Sequence, residues 1–192
     1  MIPLSCDTME LRTETYSDEL LYQARQYFLQ QGRSDFLSKT PHSLCARYLL
    51  TQIFHHLGFE GFIPADGVFT CGKYFFSTSH SGDQIMIAVA ETKVAIDVEK
   101  IIPRDESLLL WMSDFWLRLD IREIFYLQRT AKECLVKFLD LFSDSLGEME
   151  IVEMKEIVDE KDDYTISVEY GGKQYRIPSR CKHGYIFSWL TW

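Results

Sequence analysis

Residues 74–100 read YFFSTSHSGDQIMIAVAETKVAIDVEK, and three short apolar runs in this stretch decide the fold class. The runs lie at 74–76, 85–89 and 94–98, and their aromatic and β-branched residues are typical of strands. The last two runs are close enough along the chain to be joined as a hairpin. We therefore predict antiparallel sheet in the middle of the chain.

One long helix is predicted on each side of these strands. Thr40-Pro41 is typical of a helix start, with threonine as N-cap and proline in the first turn, and the apolar periodicity that follows stops at Gly58. A second helix, with apolar residues at helical spacing, is predicted from Leu119 to about Phe142. Each helix offers an apolar face that can pack on a sheet.

The C-terminal part of the chain contains further predicted strands. The segments YTISVEY and KQYRI flank Gly171-Gly172, a dipeptide that accepts the positive φ values of a tight turn, and YIFSWLTW supplies a last strand. We predict an α+β protein with two similar α/β halves, residues 1–100 and 101–192. Each half would contain one long helix and an antiparallel sheet of about three strands.

Composition and charge exclude several classes of protein. In 192 residues, 29 acidic against 20 basic side chains give a formal net charge of -9, which argues against a nucleic-acid binder. The chain starts without a signal-peptide pattern and has no run of about 18 apolar residues, so we expect no membrane span. The cysteines form no CxxC pair and are expected to be reduced thiols in a cytoplasmic protein: Cys6, Cys45, Cys71, Cys134 and Cys181.

Two carboxylates lie at the end of the third apolar run. Because side chains alternate along a strand, Asp97 and Glu99 share one face, and the valine and isoleucine residues share the other. Neighbouring carboxylates repel each other unless they are solvated or a cation lies between them. Hard oxygen ligands favour magnesium or manganese. For this pair alone, the alternative is an exposed strand face that is merely polar.

Two other segments carry polar groups that could act with these acids. Residues 75–82, FFSTSHSG, predict a serine-rich turn whose hydroxyl groups, backbone N–H groups and His80 could meet a phosphate, although His80 could equally be an ordinary turn residue. In the second helix, Glu133 and Lys137 are four residues apart and could form a surface ion pair. Alternatively, Glu133 could add a third carboxylate to the pair on the strand.

Together these segments resemble the motifs of the 4'-phosphopantetheinyl transferase superfamily. Residues 94–99, VAIDVE, are similar to its strand motif (I/V)-G-(I/V)-D-(I/V)-E, and residues 129–137, RTAKECLVK, to its helix motif W-(S/T/C)-x-K-E-(A/S)-x-x-K. Residues 76–81, FSTSHS, resemble F-N-x-S-H-S, and residues 43–50, with Arg47, resemble the family's upstream arginine-bearing helix. The segments occur in the family's order and cover about half of the chain.

The resemblance implies a fold and an activity. The length of the chain is similar to that of the monomeric surfactin-synthetase-activating type, which is a pseudo-dimer of two α/β halves. The implied reaction transfers 4'-phosphopantetheine from coenzyme A to a serine of an apo carrier protein and releases 3',5'-ADP. The implied partners are coenzyme A and an acyl, peptidyl or aryl carrier protein, and the protein is expected to be a monomer.

The resemblance also implies roles for individual residues. Asp97, Glu99 and Glu133 would hold a magnesium ion, or manganese as the other fitting ion, and Glu133 would also take the serine proton as a general base. Lys137 would stabilise developing charge and bind the coenzyme. The other residues implied to bind coenzyme A are Arg47, Lys73, Ser79 and His80.

Three departures from the family pattern keep other functions open. Arg129 stands where the family has tryptophan, which suggests a rearranged or solvated pocket, and Ala95 replaces a glycine. The segment after Lys137, FLDLFSDSLGEME, lacks the family's Gly-rich continuation. One alternative is a degenerate member that binds coenzyme A or a carrier protein without transfer. Another is an unrelated interaction protein whose acidic face docks a basic partner. The acidic segment 144–163 is itself predicted to be a solvated helix or loop.

Overall fold

A computed structural model describes the chain over four ranges: 9–64, 69–103, 119–157 and 163–192. The chain forms two compact units, Met1–Thr92 and Lys93–Trp192, whereas the sequence prediction divided it at residue 100. Each unit has its own antiparallel sheet and helix, which confirms the α+β class. No helix within the described ranges is long and apolar enough to cross a membrane.

Within its described residues, the first unit has a four-stranded sheet, two α-helices and a short 3₁₀ helix (Ser34–Ser38). Its elements are β1 (Met9–Thr15), α1 (Asp18–Gln30), α2 (Pro41–His56), β2 (Thr70–Cys71), β3 (Tyr74–Ser81) and β4 (Gln84–Ala90). The strands are antiparallel in the order β1-β4-β3-β2. Apolar side chains of both helices pack with those of the sheet, where Phe28, Phe54 and Ile87 are fully buried.

Helix α2 begins where the sequence predicts. The Thr40 side chain accepts a hydrogen bond from the Ser43 N–H at 3.4 Å, and Pro41 occupies the first turn, where its missing N–H leaves no helical bond unmade. The helix ends at His56, close to the predicted stop at Gly58. Arg47 is therefore held on a rigid element.

The predicted hairpin between 85–89 and 94–98 is wrong. Strand β4 pairs with β1 along one edge and with β3 along the other, across a two-residue turn at Gly82-Asp83 in which Gly82 has a φ of 57°. Both edges of β4 are thus occupied, and the strand at 94–98 joins the second sheet. The predicted serine-rich turn in residues 75–82 is also wrong, because the serine-rich segment 77–81 belongs to strand β3.

The sequence prediction missed β1 and α1. Only Leu11 is buried in β1, and only Ala24 and Phe28 are buried in α1, so neither element shows a strong apolar pattern. A readable signal did exist, because Ser17 is the N-cap of α1 and its side chain accepts a hydrogen bond from the Leu20 N–H at 3.1 Å.

Among the described residues, the second unit has a five-stranded sheet, one α-helix and a short 3₁₀ helix (Ser143–Glu148). Its elements are β5 (Val94–Lys100), α3 (Ile121–Leu139), β6 (Glu150–Glu156), β7 (Asp163–Tyr170), β8 (Lys173–Lys182) and β9 (Tyr185–Thr191). The strand order is β5-β9-β8-β7-β6. The two sheets therefore have four and five strands, more than the predicted three or so in each half. The predicted Gly171-Gly172 turn between β7 and β8 is confirmed, with φ values of 59° and 72°.

Helix α3 is shorter than predicted at both ends. A capping box starts it, in which Asp120 accepts from the Arg122 N–H at 2.8 Å and Glu123 accepts from the Asp120 N–H at 3.2 Å. The helix ends at Asp140, which adopts a left-handed conformation with a φ of 56°. Its apolar face, which includes the fully buried Leu127 and Leu135, packs with side chains of the five-stranded sheet.

The acidic segment 144–163 does not form a solvated helix or loop throughout. Residues 150–156 form the edge strand β6, in which Met154 is buried while several charged side chains remain exposed. An edge strand tolerates this composition because one of its sides faces solvent, and the charges discourage pairing with other chains. Residues 158–162 lie outside the described ranges.

The cysteines of the described ranges are free thiols, and two of them are buried. Burial raises the pKa of Cys45 to about 11 and also raises the pKa of Cys134, whose thiol donates to the Ala95 carbonyl at 3.4 Å. Cys71 and Cys181 are partly accessible. Cys6 lies outside the described residues.

Native alkylation tests this packing. We expect iodoacetamide at neutral pH to label Cys71 and Cys181 well before Cys45 and Cys134, because only a thiolate that solvent reaches is nucleophilic. Peptide mass spectrometry would follow each site, with a urea-denatured sample as the fully labelled control. Rapid native labelling of Cys134 would contradict the packing of α3 on β5.

Candidate metal centre

Strand β5 places two acidic side chains on the side of the sheet that α3 covers. Ala95 belongs to the apolar cluster that contains the buried face of α3, and period-two alternation puts Asp97 and Glu99 on the same side. Asp97 is only 2% exposed, and Glu99 is half-buried near the end of the strand. The predicted shared face of these two residues is thereby confirmed, and it is not an exposed polar face.

Helix α3 adds the third carboxylate. Carboxylate oxygens of Asp97, Glu99 and Glu133 lie within 4.8 Å of one another, one oxygen from each residue. Three hard oxygen donors at this spacing suit a divalent cation such as magnesium, whose ligands lie about 2.1 Å from the ion, once the side chains draw slightly inward. All three residues belong to the second unit, so one compact unit holds the whole set.

Two cationic side chains of α3 neutralise part of this acidic cluster. The Lys137 ammonium donates to Asp97 Oδ1 at 2.6 Å and to the Ile96 carbonyl at 3.1 Å. The Arg129 Nε donates to Glu133 Oε1 at 2.8 Å and lies 3.4 Å from Glu99 Oε1. Lys137 therefore pairs across to the strand, and the expected surface ion pair between Lys137 and Glu133 is replaced by Arg129–Glu133.

The surroundings of Glu133 raise its pKa. Burial is the largest cause, and the negative charges of Asp97 and Glu99 act in the same direction, whereas Arg129 and Lys137 oppose the shift. A carboxylate with a raised pKa is a better proton acceptor than an ordinary one near neutral pH. The site therefore contains a candidate base beside candidate metal ligands.

Arg129 lies beside the carboxylate cluster, at the position where the resembled family has tryptophan. Its side chain is 38% exposed and its guanidinium lies against two of the three carboxylates. The contact with Glu133 is an i,i+4 pair that the sequence contains, but the contact with Glu99 depends on how α3 packs on β5. Sequence reasoning therefore missed Arg129 as a member of the site.

Two of the candidate coenzyme-binding cations, Arg47 and Lys73, lie in the first unit. Arg47 donates from Nη1 to the Pro64 carbonyl at 2.7 Å, and its guanidinium lies 5.0 Å from the centre of the Phe36 ring. Lys73 is exposed and forms an ion pair with Glu91. Both cations therefore have partners within the unit.

Ser79 and His80 are neighbours on β3, so their side chains point to opposite faces of the sheet. Ser79 is buried, and His80 is exposed with its ring centre 5.5 Å from that of His42 at the start of α2. His42 also stacks on Tyr16 at 4.4 Å, and its Nε2 has no hydrogen-bond partner within the described ranges. The sequence signal that could have identified His42 as a candidate site residue is its position in the first turn of α2.

No protein-family model matches the sequence, and no curated protein matches it either.

Proposed function

We propose that the protein transfers the 4'-phosphopantetheine group from coenzyme A to a serine hydroxyl of an apo carrier protein. The observation that carries this proposal is the cluster of Asp97, Glu99 and Glu133, contributed by two elements of one unit with oxygens within 4.8 Å of one another. Coenzyme A contains a diphosphate, and a magnesium-dependent reaction at a diphosphate needs such a hard-oxygen site.

The donor set fits a divalent metal ion, because it offers three carboxylates and no soft ligand. Asp97, Glu99 and Glu133 would hold the ion. When bound, the ion would neutralise negative charge on the diphosphate as 3',5'-ADP departs.

The residues of the chain supply the proton transfer and positive charge. Glu133 accepts the proton of the carrier serine, whose oxygen attacks the phosphorus that bears the pantetheine arm. The bond from that phosphorus to the oxygen of 3',5'-ADP breaks, and the nucleotide leaves with the bonding electrons. Lys137, already held at Asp97, contributes positive charge beside the reacting phosphate.

In the first unit, we propose four contacts to coenzyme A, which follow the motif resemblance. Arg47 and Lys73 are cations suited to phosphate groups, and each would exchange its present partner for the ligand. His80 is exposed and can meet a phosphate, and Ser79 can contribute hydrogen bonds.

Intact-mass spectrometry of apo carrier proteins tests the activity directly. Acyl, peptidyl and aryl carrier proteins are each incubated with the protein, coenzyme A and magnesium, with an EDTA-treated sample as the control. We expect at least one carrier to gain a single phosphopantetheinyl group, and only when the metal is present. If every carrier keeps its apo mass across a range of metal concentrations, transfer is rejected.

A catalytically degenerate coenzyme or carrier binder is the second candidate, and one observation favours it. Arg129 occupies oxygens of Glu133 and Glu99 that a metal would need. This candidate predicts that coenzyme A raises the melting temperature by mass action while no carrier gains mass. An unrelated interaction protein would show neither effect, so thermal shift and mass spectrometry together separate the three functions.

A further inference from the structure

We propose that Arg129 is a built-in counter-cation of the carboxylate cluster, which competes with a divalent metal ion, and that it thereby lowers the metal affinity of the site. This inference rests on the proposed function, because it takes Asp97, Glu99 and Glu133 as metal ligands. It goes further in assigning a role to the residue that departs from the motif of the resembled family.

The geometry places the guanidinium where it competes with a metal ion. The Arg129 Nε bonds to Glu133 Oε1 at 2.8 Å and is 3.4 Å from Glu99 Oε1, so one donor lies against two of the three acids. A metal ion cannot use the same lone pairs while these contacts persist. An ion bound at the second oxygen of either carboxylate avoids these lone pairs but still meets the positive charge of Arg129 a few ångströms away.

The charge balance favours a metal-free cluster that is already stable. Among the described residues, the three carboxylates and the two cations Arg129 and Lys137 have a formal charge of -1, so the cations offset much of the repulsion between the acids. A divalent ion added to the same five side chains would make the formal charge positive. Release of one cationic side chain restores the balance, and this release reduces the net gain from metal binding.

Arg129 is the cation that can leave. The two side chains are similarly exposed, Arg129 at 38% and Lys137 at 35%, but within the described ranges Arg129 contacts carboxylates, whereas Lys137 also bonds to the backbone carbonyl of Ile96. Arg129 is therefore the side chain that metal binding moves toward solvent.

The test is the dissociation constant of Mn2+, measured by calorimetry on the full chain without coenzyme. Arg129→Gln is expected to bind Mn2+ roughly tenfold more tightly than wild type, because a positive charge a few ångströms from the ion is removed. Arg129→Lys keeps the charge and is expected to stay within about threefold of wild type. Arg122→Gln is the matched control. Arg122 is another arginine of α3, lies two turns from Arg129 and pairs with Asp120, so the Mn2+ affinity of this variant should equal that of wild type.

Melting temperatures provide a second readout that a merely structural role would not reproduce. In EDTA, Arg129→Gln is expected to melt below wild type, because Glu99 and Glu133 lose their counter-cation. In saturating Mn2+, its gain in melting temperature should exceed that of wild type. If the glutamine variant does not fold, Arg129→Met keeps the aliphatic stem and carries the same expectation.

Unchanged or weaker Mn2+ affinity in the uncharged variants, while wild type binds the ion, overturns this inference and leaves the proposed function standing. Absence of Mn2+ binding in wild type and in every variant, together with absence of transfer, overturns the proposed function itself.

Discussion

Replacement of Glu133 with glutamine is expected to lower the rate of carrier modification by at least about a thousandfold. The substitution removes a metal ligand and the base that accepts the serine proton, and loss of a general base alone is typically worth a factor of about 100 to 10,000. The measurement is the rate of mass gain of the best carrier protein under saturating coenzyme A and magnesium.

The variant should remain folded, so that the loss reports on chemistry. Burial and the neighbouring acids raise the pKa of Glu133, which means that the ionised carboxylate costs stability once the pH exceeds its ordinary pKa. A neutral glutamine avoids this cost, and its melting temperature in EDTA at neutral pH should not fall below that of wild type.

Glu153→Gln is the matched control for Glu133→Gln. Glu153 lies on the edge strand β6 and forms an exposed ion pair with Lys155 at 2.7 Å, outside the carboxylate cluster. Its transfer rate should equal that of wild type. Turnover by Glu133→Gln at the control rate would show that Glu133 is neither base nor required ligand.

Asp97 is expected to be as important as Glu133 for the rate of carrier modification. For Asp97, however, the result depends more strongly on which residue replaces it. Asp97 is buried and ion-paired with Lys137, so an alanine would leave that ammonium without its carboxylate partner. Asp97→Asn is the better variant, because it keeps the shape and an acceptor oxygen for Lys137 while it removes the charge.

The largest expected effect on stability lies elsewhere, at the ion pair between Asp163 and Arg180. The two residues face each other in the register of β7 and β8, form two hydrogen bonds, and the Asp163 side chain is only 5% exposed. Removal of one partner of a buried pair leaves an uncompensated charge, which typically costs about 3–5 kcal/mol. Asp163→Ala should therefore lower the free energy of unfolding by about 3 kcal/mol, since Arg180 keeps some access to solvent.

Thermal and urea unfolding would measure this loss, which corresponds to a fall in melting temperature of roughly 10 °C or more for a unit of this size. The double variant Asp163→Val/Arg180→Met should recover most of it, because a buried pair replaced by apolar residues is often neutral. Glu153→Gln again serves as the control, since an exposed ion pair contributes less than about 1 kcal/mol. If Asp163→Ala and Glu153→Gln lower the free energy of unfolding equally, the buried Asp163–Arg180 pair contributes no more to stability than an exposed ion pair.

Local signals in the sequence predicted several elements correctly. The start of α2 at Thr40-Pro41 and the turn at Gly171-Gly172 were predictable because capping and tight-turn geometry depend on residues that are adjacent in the chain. The alternation that puts Asp97 and Glu99 on one face is likewise a property of a single strand.

Strand partners were predicted less well, because pairing depends on distant segments. The segments 85–89 and 94–98 are neighbours in sequence, yet they belong to different sheets since β1 and β3 occupy both edges of β4. The acidic β6 was missed for a related reason, because an edge strand needs only one apolar side and its sequence resembles a solvated segment.

For the candidate site, the sequence by itself determined which side chains share an element: Asp97 with Glu99 on a strand, and Arg129 with Glu133 and Lys137 on a helix. Only the tertiary structure decided how the two sets pair, with Lys137 at Asp97 and Arg129 between Glu99 and Glu133. Spacing along one strand or helix follows from backbone geometry, whereas the contacts between them depend on how the apolar face of α3 packs against β5, which no local pattern encodes.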